Sequence, residues 1–195
     1  METSLEMIKE DLARARKIAE GYKPGREGVD FKLMTEIGCD SSDKLLKKLM
    51  EEDETKFMGY IKDALEIGGE SLDVGEDIGG REYTSDRGAG RPCRIKTTAD
   101  AKRCLDYALV ASALFEFAYK GLRLIKERMI ELHKSGTPRE GLKSYLLPLG
   151  RLVVDPADIH SVEAEVGFGL RKYADGLSGV AYDKARTLLR AKHGK

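Results

Sequence analysis

The sequence predicts an all-α bundle of about six or seven helices, with one long central helix and a Gly/Arg-rich loop. Three observations carry that prediction. Apolar residues recur at spacings of three and four through most of the chain. Polar and proline-containing start signals precede several of these runs. Val29, Phe31 and Leu33 alternate, but no internal repeat of fixed period emerges.

The first helix has Thr3 and Glu6 at capping-box spacing, followed by Leu5, Ile8, Leu12 and Ala15, and Gly21 ends it. Residues 29–37 fit a strand by Val29, Phe31 and Leu33 and a helix by Met34 and Ile37, so both readings stay open. Asp40-Ser41-Ser42 offers caps for a short helix carrying Leu45, Leu46, Leu49 and Met50. Glu51-Glu52-Asp53-Glu54 reads as the acidic first turn of the next helix, which buries Phe57, Tyr60, Ile61, Ala64 and Leu65 and closes at Gly68-Gly69. Residues 68–96, rich in glycine and arginine, read as an irregular loop.

The dominant helix is expected over about Thr98–Lys134, with Cys104, Ala108, Ala111, Phe115, Ala118, Leu122, Ile125, Met129 and Leu132 on one stripe. At 1.5 Å per residue it would extend roughly 55 Å, which invites a break near Gly121 or a partner surface. Thr137-Pro138-Arg139-Glu140 and Asp155-Pro156-Ala157-Asp158 signal two more helices, and Ser178 a third. Leu149 to Val154 is a short strand or a buried connector.

Composition describes the environment. The chain has 195 residues, 35% of them charged, and contains no Asn and no Gln, against about fifteen from ordinary usage. Amides hydrolyse when hot, and hyperthermophile proteins replace them with charge, so the host is expected to be a hyperthermophile of archaeal type. Nothing in residues 1–11 resembles an export signal, and no apolar run is long enough to cross a bilayer, so a cytoplasmic protein, or one inside an intracellularly assembled particle, is expected. Cys39, Cys93 and Cys104 fit no metal spacing; they are buried thiols or, for Cys93 with Cys104, a disulfide of the kind hot cytoplasms tolerate.

The zero net charge hides a split. Residues 1–80 hold 12 basic and 20 acidic side chains, and residues 81–195 hold 22 and 14. Three regions follow: an acidic helical region at 1–67, the loop at 68–96 and a basic helical core at 97–195. Arg81, Arg87, Arg91, Arg94, Lys96 and Arg103 form a basic arm suited to nucleic-acid phosphates, DNA or RNA, or else a solvated surface. Ala108, Ala111, Phe115 and Ala118 are the expected self-association face.

No P-loop, nucleophile elbow, zincin motif or complete dinucleotide fingerprint is present, and no cofactor or metal is expected. His160 and Glu163 share a helical face, but Glu-x-x-His order is reversed there. Arg128-Met129-Ile130-Glu131-Leu132-His133 resembles the Arg-x4-His spacing of HEPN-type ribonucleases, although Met129 is apolar where that family usually has a polar residue. The resemblance implies Arg128 on a phosphate and His133 as acid or base; otherwise both decorate the helix end, where the dipole favours positive charge. The expected function is a non-enzymatic helical subunit of a larger assembly, of nucleoprotein, virion or coat type. The alternatives are a HEPN-like or other nucleic-acid enzyme and a protein-only adaptor.

Overall fold

Apolar residues spaced by three and four produce helices through most of the described residues. The computed structural model describes residues 31–39, 43–80 and 94–193; among these, 89% are helical and none is in a strand. The elements are α1 (Phe31–Cys39), α2 (Lys44–Glu52), α3 (Glu54–Gly79), α4 (Thr98–Lys134) and α5 (Arg139–Leu146). A 3-10 segment (Leu147–Leu152) follows, then α6 (Asp158–Ala164), a π segment (Glu165–Leu170) and α7 (Arg171–His193). The last three run on without interruption, so counting them as one gives six helices among the described residues. The helix expected over residues 3–21 lies outside the described residues.

In α1 the helical alternative holds: Met34 and Ile37 lie three apart and are buried together. The Asp40-Ser41-Ser42 caps lie outside the described residues. At the start of α2, Asp43 makes no side-chain cap, because its carboxylate accepts a 2.7 Å hydrogen bond from Arg123 Nη2. Asp53 separates α2 from α3 in extended backbone and accepts the Lys56 N–H at 3.0 Å. Glu51 and Glu52 therefore end α2, and only Glu54 falls in the first turn of α3.

Helix α3 does not close at Gly68-Gly69, so residues 68–79 are helix and not loop. A helical glycine costs about 1 kcal/mol relative to alanine, but here burial offsets it. Ile67 and Leu72 are in the core, and Ser71 Oγ satisfies itself on Ile67 O at 2.8 Å. Gly75 and Gly79 sit where side chains do not fit: a Cβ would lie 2.3 Å from Leu177 Cδ2 and 2.8 Å from Cys104 Sγ, respectively. The Cys104 thiol is buried and donates to Gly75 O at 3.5 Å; Cys39's side chain and all of Cys93 lie outside the described residues. The helix stops at Gly80, whose φ of 81° is left-handed.

Helix α4 has the expected bounds. Thr97 Oγ1 accepts the Asp100 N–H and Asp100 Oδ2 accepts the Thr97 N–H, both at 3.1 Å, a reciprocal cap. At the other end, Gly136 at φ 86° directs its own N–H to His133 O and the Thr137 N–H to Leu132 O, a Schellman stop. There is no break at Gly121. Its missing side chain admits Ile61, whose Cδ1 would be 2.7 Å from a Cβ there.

Helix α5 starts after Pro138, one residue later than the Thr137 signal implied. Residues 149–154 are no strand: Leu149 and Val153 are buried in a connector that turns at Gly150. Before α6, Asp155 Oδ1 accepts the Ala157 N–H and Asp158 Oδ2 accepts the Asp155 N–H, each at 3.0 Å. Ser178 starts nothing. It lies inside α7, its hydroxyl bonded to Ala174 O at 3.1 Å, because buried Ala174, Leu177 and Ala181 carry one stripe through it.

The described chain divides into two compact units. The first comprises 67–80, 94–112 and 171–193, with Cys104, Ala108, Ala111, Ala174 and Leu177 as its core. The second comprises 31–39, 43–66 and 113–170, centred on Phe57, Ile61, Phe115, Phe117 and Leu122. Phe57 meets Phe117 edge-on, with ring centroids 6.4 Å apart.

Candidate functional site

The second unit places Arg128 among carboxylates. Glu131, three residues on and so on the same face of α4, takes its Nη1 at 3.1 Å, and Glu54 at the start of α3 takes its Nε at 3.4 Å. These two, the Glu131 hydrogen bond first, raise the guanidinium's pKa. Close by, the Tyr145 hydroxyl is buried with no hydrogen-bond partner among the described residues, and burial together with the Glu54 charge pushes its pKa up. A cleft of about 340 Å³ opens beside them, with Glu51, Glu54, Glu127 and Glu131 outnumbering Lys47 and Arg128 on its walls.

That arrangement suits phosphate poorly. A phosphoryl oxygen reaching Arg128 would displace two carboxylates and enter an acidic cleft. His133 is exposed, and five residues along a helix put it about 140° round from Arg128. The structure does not bring the two to one face.

His160 and Glu163 do share a face, with His160 Nδ1 at 3.7 Å from Glu163 Oε2. Glu163 is buried, however, and its close partner is Lys126 of α4, an ion pair that sequence spacing has no means of revealing. Among the described residues no three His, Cys, Asp or Glu side chains form a metal-holding group. No described helix is long and apolar enough to cross a membrane.

In the first unit, Arg94, Lys96 and Arg103 are exposed at the start of α4, with the Arg94 N–H tied to Gly79 O at 3.3 Å. Arg81, Arg87 and Arg91 lie outside the described residues. The expected association face is differently placed: Ala108, Ala111, Phe115 and Ala118 are all 0% exposed and belong to the chain's own cores. The most exposed large apolar side chains among the described residues are Leu147, Val154 and Phe168, between 72% and 75% exposed. Sequence reasoning missed them, since single apolar residues flanking a connector or in a π segment carry no periodic signal. No family model, curated protein or solved structure matches this chain.

Proposed function

We propose that the chain is a non-enzymatic helical subunit of a larger nucleoprotein- or coat-type assembly, built inside the cell of a host that lives hot. The observation that carries this reading is the outward placement of Leu147, Val154 and Phe168 in the second unit, where Phe115, Phe117 and Leu122 are fully buried. Large apolar side chains held in water are worth covering with a partner, and burying one side chain stabilises by about 1.5–3 kcal/mol. The non-enzymatic part is supported by Arg128, which two carboxylates neutralise and which lies apart from His133. The amide-free composition supports the hot host.

The native mass of the purified protein, read together with its ultraviolet absorbance ratio, tests the reading. A mass several times 21.6 kDa, with nucleic acid present, is expected. Replacing Phe168 with serine should shift that mass downward. A complex free of nucleic acid would favour the protein-only adaptor. A strict monomer at high concentration and low salt would refute assembly altogether.

A further inference from the structure

The ion pairs of Arg123 with Asp43, Lys126 with Glu163 and Arg139 with Asp155 lie in the second unit. In the first unit, Arg94, Lys96, Lys102, Arg103, Arg186 and Arg190 are exposed, and none forms an ion pair with another described residue. Two of these groups are far apart in sequence, yet helix direction brings them to the same end. Ser112 Oγ donates to Asp175 Oδ1 at 3.4 Å, while Leu177 reaches Gly75 and Gly79, the residues that abut Tyr107 and Cys104. Helix α7 therefore runs antiparallel to α4, and Arg186 and Arg190 lie toward the end at which α4 begins. Tyr182, 48% exposed, Arg186 and Arg190 form a column along α7, stepping about 6 Å per four residues. Of the acids at this end, Asp100 is engaged by the cap amides of Lys96 and Thr97, while Asp77, near the close of α3, and Asp183 are exposed.

We infer that this end of the first unit is a binding surface for single-stranded nucleic acid: the arginines and lysines hold phosphates, and Tyr182 stacks on a base. Arginine predominates, as bidentate phosphate contact requires, and an exposed ring in line with the cations serves unpaired bases that a duplex keeps stacked. The site rests on the nucleoprotein reading above.

Fluorescence anisotropy of a labelled 30-nucleotide DNA strand, the same RNA and the matching duplex, titrated with the full chain across salt, tests it. Arg186→Glu with Arg190→Glu should weaken single-strand binding at least about ten-fold and reduce the log–log salt slope by about 1.4, at 0.7 per phosphate contact. Tyr182→Ala should cost about ten-fold while leaving the slope unchanged, and Arg151→Glu, in the second unit, should change neither. Circular dichroism of each variant confirms the helical fold. Parent-strength binding by the double variant overturns the site but leaves the nucleoprotein reading standing. Duplex preferred over single strands also overturns it. No binding of any strand at low salt overturns both, and a salt-sensitive oligomer lost in the double variant would then mark the patch as a protein contact.

Discussion

Replacing Gly121 with alanine isolates a close helix contact in the second unit. A Cβ there would sit 2.7 Å from both Cδ1 and Cγ1 of Ile61 and 3.4 Å from Phe57 Cζ. Ile61 is fully buried beside Phe57, which is itself held edge-on against Phe117, so the isoleucine has little space to retreat into. Overpacking of this kind costs about 1–3 kcal/mol, and the gain in helix propensity returns about 1 kcal/mol. The net expectation is a loss of up to about 2 kcal/mol. Gly59, in α3, has nothing within 4 Å of its would-be Cβ, so Gly59→Ala should instead stabilise by about 1 kcal/mol. Ile61→Ala alone should cost about 2–5 kcal/mol. Combined with Gly121→Ala it should cost less than the sum, because the new methyl enters the vacated space; the coupling should be about 1–3 kcal/mol. Guanidinium unfolding of the parent, the three single variants and the double variant gives these values, with unchanged slopes confirming comparable transitions. If Gly121→Ala stabilises as much as Gly59→Ala, or if the double variant is additive, the close-packing argument fails.

Three further outcomes follow from other parts of the molecule. Lys126→Met leaves the buried Glu163 carboxylate without its cation and should cost about 3 kcal/mol or more, most of it recovered by adding Glu163→Leu; a denaturation midpoint unmoved by Lys126→Met would contradict the pair's role. The Thr97 hydroxyl, then the Lys96 and Thr97 amides, hold the Asp100 carboxyl below its ordinary 3.8. A depressed carboxyl stabilises above the unfolded value and loses that effect as pH falls through the folded one, so the α4 cap should survive acidification past 3.8. A carboxyl-carbon titration by NMR with a midpoint at or above 3.8 would refute this. Thermal unfolding is expected above about 90 °C, and a midpoint near 55 °C would count against the hot-host inference.

Local chemistry made some of this architecture legible and distance hid the rest. The bounds of α4 could be read from its apolar stripe, and the caps that fix them are local, Thr97 with Asp100 and His133 with Gly136. The second half of α3 could not, because Gly68, Gly69, Gly75 and Gly79 look like helix breakers until Leu177 and Cys104 are seen against two of them. The stripe through Phe115 announced burial correctly, but an apolar face looks the same whether its own chain or a second copy covers it. Arg128 and His133 were visible as residue types at a spacing; the Glu54 that engages Arg128 comes from another helix. The antiparallel course of α7 beside α4, which brings the two basic segments toward the same end, depends on tertiary packing and leaves no trace in either segment.

The glycines around the middle of α4 have a bearing on inheritance. A Cβ on Gly38 would meet the Ala113 carbonyl oxygen at 2.0 Å, and one on Gly167 would meet the Tyr119 ring at 2.6 Å; Gly121 is closed by Ile61. Backbone and ring cannot yield as a flexible chain end can, so these positions admit almost no drift while charged surface positions can exchange freely. A distant descendant of this chain could lose most of its recognisable residues and still have to keep glycine opposite Ala113 and Tyr119, and at 121 either glycine or a smaller partner than Ile61. Its kinship would then show in a spacing of missing side chains before it showed in any shared functional group.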